Sequence, residues 1–297
     1  MKNTSKILFA LLLSFPILVH AQEKKDSSSY LNGMLKIVTN ENKDGKSVKK
    51  MELSTPSKKK KRKPVETDWG GFNLGFNNYT DKTDYTNTSV SDPNSIGSFA
   101  LFTKKAAQEN DFELKSGKSI NVNFGIVRQQ VSLYKNYVSF IYGLCYDINN
   151  WSYKKSIHWT SIDQTNASLS ALSPNNKGYA ITMDSVNYTK NKLVTNYLQV
   201  PLLLRFETSP NHNSRNVCLS IGGYAGYLVR SHTKQIIEGS KQKEKQFNDF
   251  NLNKFQYGMQ AELEYKQFAI YFKNSLTPLT SYGTEQYPYC FGVRLTN

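Results

Sequence analysis

Phe255-Gln256-Tyr257-Gly258-Met259-Gln260-Ala261-Glu262-Leu263-Glu264-Tyr265 places an apolar residue at every second position and a polar residue or glycine between. Period two is the geometry of a β-strand whose faces meet unlike surroundings. The whole run spans Asn253 to Tyr265, and it is the cleanest of eight. The others are Trp69 to Tyr79, Lys118 to Gln130, Val138 to Ser152, Lys192 to Glu207, Arg215 to His232, Phe268 to Leu276 and Tyr287 to Thr296. Each is close to the length a tilted strand needs to cross a bilayer, and an even count fits a closed antiparallel ring without edges.

The connections follow their own rule. By these boundaries the gaps are about 38, 7, 39, 7, 20, 2 and 10 residues. Long and short alternate, as in an up-and-down barrel with long loops at one end and short turns at the other. Val131 to Tyr137, Thr208 to Ser214 and Lys266-Gln267 form the short set and are expected in the periplasm, with both ends of the barrel domain.

A lipocalin-like barrel would alternate too, so the polar face decides between them. It carries Gly71, Gly75, Gly125, Gly143, Gly222, Gly226, Gly258 and Gly292. Glycine is poorly suited to a solvated sheet face, whereas small residues help fill the narrow interior of eight strands. The apolar face, dense in Phe, Leu and Tyr, is therefore read as facing lipid, with Tyr227, Tyr265, Phe268, Tyr287 and Tyr289 as interfacial girdles. The fold expected is an all-β, eight-stranded antiparallel up-and-down transmembrane barrel over residues 68–297.

The 297 residues hold 38 Lys+Arg against 23 Asp+Glu, and 13% are aromatic. That much aromatic surface excludes disorder throughout. The longest apolar stretch, Ile7 to Val19, is shorter than the roughly 18 residues of a helical span. With Lys2 and Lys6 before it and Val19-His20-Ala21 after it, residues 1–21 read as a cleaved signal peptide. Residues 22–67, with thirteen Lys/Arg against six Asp/Glu and the block Lys58 to Lys63, read as a disordered basic periplasmic tail. An exported chain does not meet nucleic acid, so the tail's expected contacts are anionic lipid or envelope polymer. Cys145, Cys218 and Cys290 lack C-x-x-C spacing, and their odd number leaves at least one thiol unpaired within the chain.

The inward face carries Arg205, Arg230, Arg294 and Lys273 with Glu262, Glu264 and Asp147. Charges in a narrow lumen must be paired, so a self-neutralising plug is expected, with Glu262 facing Arg205 or Arg294. The two longest loops carry Tyr85, Phe99, Phe102, Trp159 and Tyr179 as a candidate binding surface, since connections of this length are usually functional or disordered. Tyr179 to Tyr188 alternates enough to extend a hairpin beyond the membrane. No H-E-x-x-H, G-x-S-x-G or P-loop pattern is present, so no catalytic residue, metal or cofactor is expected. Two rivals remain: a rim hydrolase or acyltransferase using His158 and His232, and a narrow channel.

Asn196-Tyr197-Leu198-Gln199-Val200-Pro201-Leu202-Leu203-Leu204-Arg205, followed by Gly222-Gly223-Tyr224-Ala225-Gly226-Tyr227-Leu228, resembles the porin-family outer-membrane β-barrel domain typified by PorT-like proteins. Asp249-Phe250 through Glu262-Leu263-Glu264-Tyr265 is similar to its sixth-strand region. The resemblance covers about residues 68–297 and implies an eight-stranded barrel without cofactor or known enzymatic role; some members serve protein secretion across the outer membrane. On it rests the expectation of a small, non-enzymatic structural or binding component of a Gram-negative outer membrane. Its partners would be the surrounding lipid and envelope or secretion proteins reached through loops or tail.

Overall fold

A computed structural model describes residues 27–30, 35–41, 47–53, 64–92, 94–101, 105–162, 178–183, 186–209, 216–240 and 242–295. The expected signal peptide and the Lys58 to Lys63 block lie outside them. The chain divides into two compact units, residues 1–58 and 59–297.

In the first unit, β1 (Ser27–Tyr30), β2 (Leu35–Glu41) and β3 (Ser47–Leu53) pair in order as an antiparallel sheet. The sequence reading places an unstructured tail here. Its like charges are concentrated after Leu53, whereas the register of β2 and β3 sets Leu35 opposite Leu53 and Ile37 opposite Met51. Alternate apolar positions thus coincide across the pair, which is what specifies a register.

The second unit contains β4 (Val65–Asp81), β5 (Ile120–Tyr134), β6 (Val138–Ser152), β7 (Ile157–Ser161), β8 (Tyr179–Met183), β9 (Tyr188–Glu207), β10 (Val217–Ile237), β11 (Glu244–Phe247), β12 (Phe255–Tyr265), β13 (Phe268–Ser275) and β14 (Gln286–Leu295). Eight of them close on themselves in the order β4-β5-β6-β9-β10-β12-β13-β14 and back to β4, every pair antiparallel. Residues 65–67, expected in the tail, already belong to the first strand of this ring. β7 and β8 form a separate hairpin within the connection 153–187, and β11 adds to the upper part of β10. Tyr179 to Met183 therefore pairs with β7 and does not prolong β9.

The two faces divide as the alternation requires. On β10, Leu219 and Ile221 are 41% and 44% exposed while Ser220 between them is 1% exposed. Tyr265 and Phe268 flank the turn Lys266-Gln267 and point outward at one end of the ring. Tyr227, exposed on the same outer surface, lies near the other end.

Four register shifts interrupt the ladders, and two of them change which face a charged residue occupies. In β5 the register to β6 slips between Gly125 and Val127, so Ile126 has no opposite number. Opposite it on β4 sits Gly70 at φ +77°, a conformation other residues adopt only at a cost. In β10 the slip falls between Leu228 and Arg230. An extra residue reverses which face the following side chains occupy. Ser231, Thr233 and Gln235 consequently turn inward, and Arg230 points outward with its guanidinium 4.6 Å from the Phe247 ring. This corrects the expectation that Arg230 faces the lumen.

Candidate functional site

The interior of the ring is built in layers. Nearest the short turns, Arg205 donates to both carboxylate oxygens of Glu264, each at 2.8 Å, and through Nε to Glu207 at 3.1 Å. Arg294 bridges Glu262 at 2.5 Å and Glu264 at 3.2 Å, and Arg128 reaches Glu262 at 3.0 Å. Three guanidinium groups thus face three carboxylates. Gln130 donates to the same Glu207 oxygen as Arg205, Asn216 to the other one, and Gln260 to Glu262. Such a layer keeps buried charge tolerable only because its members are mutually paired and hydrogen-bonded.

In the next layer Lys273 sits 2.6 Å from Asp147, whose carboxylate also accepts from Asn121, Asn123 and Asn149. Tyr271 donates to Asn121 at 2.8 Å. The two large phenols of this region each stand beside a glycine on the neighbouring strand, Tyr271 opposite Gly292 and Tyr224 opposite Gly258. A Cβ at Gly258 would lie 2.8 Å from the Tyr224 hydroxyl, and one at Gly75 would lie 2.5 Å from that of Tyr271. Gly75 and Gly258 are notches that admit tyrosines. Cys145, Cys218 and Cys290 are all buried and unbonded to one another. Above this layer a cavity of about 20 Å³ is lined by Asn77, Gln199 and Gln256 among others. Both polar side-chain atoms of Asn77 are buried without a hydrogen bond, and the space is enough for about one water.

The far end of the ring is closed by the long connections. Phe99, Phe112, Trp159, Phe250 and Leu279 from loops pack with Trp151, Leu193, Tyr197 and Leu228 from the strand tops in one apolar cluster. Polar ties fix this cap to the wall: Asn191 donates to the carbonyls of Lys155 and Ile157, and the Tyr197 hydroxyl to that of Asn253.

Of the residues singled out from sequence, Arg205, Glu262, Glu264, Lys273 and Arg294 meet in the lumen, Glu262 with Arg294 and Glu264 with Arg205. Arg128 and Glu207 join them. Glu207, two residues beyond Arg205 on the same face, follows from plain alternation, whereas Arg128 comes after the Ile126 bulge and counting by twos puts it outside. Among the loop aromatics, Phe99 is fully buried and Trp159 and Tyr179 nearly so. They form the cap's core and are not available as a contact surface. Tyr85 packs half-buried against that core and bonds Asp81 at 2.8 Å; Phe102 lies outside the described residues. The cap instead offers exposed polar residues, Asp84, Thr86, Thr88, Gln108, Glu109 and Asn110. His158 pairs its Nδ1 with Gln235 at 2.8 Å, and His232 lies on the opposite face of β10 against Phe247.

A family model described as outer membrane protein beta-barrel domain matches residues 68–283. None of the curated proteins matches the chain.

Proposed function

The chain belongs to the outer membrane protein β-barrel domain family, and from that premise we propose that it is a small, non-enzymatic binding or structural component of a Gram-negative outer membrane. In this reading the capped loop end faces outward, the short turns and the basic residues 22–67 lie in the periplasm, and residues 1–21 direct export. The observation that carries it is the pairing of a filled, charge-neutral interior with loops gathered into one packed body. A lumen occupied by the strands' own side chains favours a plug over a channel, and packed loop residues present a surface that orders little on binding.

The non-enzymatic role is supported by the two candidate histidines, which lie on different faces of the wall and so do not converge on one reacting centre. The PorT-like resemblance of Asn196 to Arg205 adds a link to secretion or envelope assembly as the finer reading. Crosslinked pulldown from intact envelopes, with and without residues 22–63, which stop short of β4, tests it. Stable envelope partners captured through cap or tail support the proposal. Steady conductance in planar bilayers, or turnover of lipid or peptide lost with His158→Ala and His232→Ala, would overturn it.

A further inference from the structure

Lys192 on β9, Lys234 on β10 and Lys245 on β11 are direct cross-strand partners in one row. Like charges placed directly opposite on a sheet destabilise it, yet here three stand side by side. Lys190 lies one step further up opposite Ile236, Lys243 precedes β11, and Arg230 and His232 occupy the two outward positions below Lys234. All of these positions on β10 are outward because of the bulge at Val229. Among the described residues none of these cations is in an ion pair; Lys192 donates to the Asn150 amide oxygen. Burial, and then the charges of Lys190, Lys234 and Lys245, push the Lys192 ammonium down to about 8.

The height of the cluster identifies its counterpart. Below it the outer surface of β9 and β10 is apolar, ending in the pair Leu198 and Tyr227. The next outward pair is Asn196 with Arg230, then Val194 with His232, then Lys192 with Lys234. From Asn196 to Lys192 is about 14 Å along the strand and about 10 Å in height at a tilt near 40°. The cations therefore climb through the headgroup layer that borders the hydrocarbon, outside the membrane-spanning part of the strands.

We propose that the Lys192–Lys234–Lys245 row with Arg230 is a binding site for phosphorylated headgroups of the lipid leaflet at the cap end. The site rests on the outer-membrane reading above and adds a ligand class to it. The anion relieves the repulsion that the row builds in, and the outward wall of β9, β10 and β11 presents the ammonium groups to lipid rather than to the lumen.

The test uses the full-length protein in vesicles of neutral phosphatidylcholine with or without a phosphorylated glycolipid, and counts retained glycolipid per protein by native mass spectrometry. Wild type should retain it, and the triple variant Lys192→Gln, Lys234→Gln, Lys245→Gln should bind about a hundredfold more weakly. The Lys→Arg triple should bind like wild type, as should Lys135→Gln with Lys266→Gln at the opposite end. Equal retention by the Lys→Gln triple would overturn the site, and so would displacement of the glycolipid by inorganic phosphate at a concentration matched to it. Insertion is read separately from the mobility of unheated protein in gels. A protein that inserts but fails to select phosphorylated lipid loses this inference alone, whereas failure to insert in any vesicle removes the barrel reading.

Discussion

Arg205 on β9 and Glu264 on β12 meet over the inner face of β10 through two parallel N–H···O bonds, Nη1 to Oε2 and Nη2 to Oε1, each 2.8 Å long. Arg205→Met should cost about 3–5 kcal/mol, since it leaves a buried carboxylate short of a partner. The double variant Arg205→Met, Glu264→Leu should recover part of that loss. Urea unfolding in lipid vesicles measures both, and simple additivity of the two single losses would contradict the coupling.

Gly75 is the notch that admits Tyr271. Gly75→Ala puts a methyl 2.5 Å from the phenol oxygen and 2.7 Å from the Phe291 carbonyl, so overpacking should cost about 1–3 kcal/mol. Adding Tyr271→Phe removes the first clash and leaves the second. Its rescue should therefore be partial, as followed by thermal loss of the compact band in gels.

Gly70 and Ile126 test the bulge from two sides. A Cβ at Gly70 meets nothing within 4 Å, so Gly70→Ala carries only the conformational cost of its positive φ, about 1–2 kcal/mol. Deleting Ile126 instead restores plain alternation on β5, with Gly125 inward, Val127 outward and Arg128 still inward against Glu262, and leaves only Gly70 without an opposite residue. Both variants should insert into vesicles, as read from the mobility of unheated protein in gels, and loss of insertion on deletion would show that the bulge itself is needed to hold Arg128 inward.

The lysine row predicts a rise in stability with pH. Lys192 holds its proton less tightly folded, at about 8, than at its usual 10.5, so the unfolded chain binds more protons between those values. Stability in uncharged detergent should climb across that window, by about 1 kcal/mol once solvent screening of this half-exposed group is allowed for. Lys192→Met should remove the slope and stabilise the protein at neutral pH; an unchanged slope would assign it to another group.

Strand positions were legible because period two persists through residues such as Phe255 to Tyr265, where lipid and lumen impose opposite demands on neighbouring side chains. Counting failed where the backbone adds a residue. Arg230 and Arg128 both lie just beyond a bulge, and only Arg128 left a trace in the sequence: an arginine continuing the lipid-facing series Val122, Phe124 and Ile126 is too costly to be there. The cap left none. Phe99, Trp159 and Phe250 come from three separate connections, and nothing in the spacing of one loop reports that it will be buried by the others. The pairing of β2 with β3 was masked in the same way by the charge that surrounds it.

The three thiols have a practical meaning. Cys145, Cys218 and Cys290 each sit on a different strand and point away from the outer surface, in a protein whose expected compartment is oxidising. They stay reduced only while the wall stays shut, so the rate at which a maleimide modifies them is a clock for spontaneous opening of the sheet, strand by strand, in an otherwise unlabelled molecule.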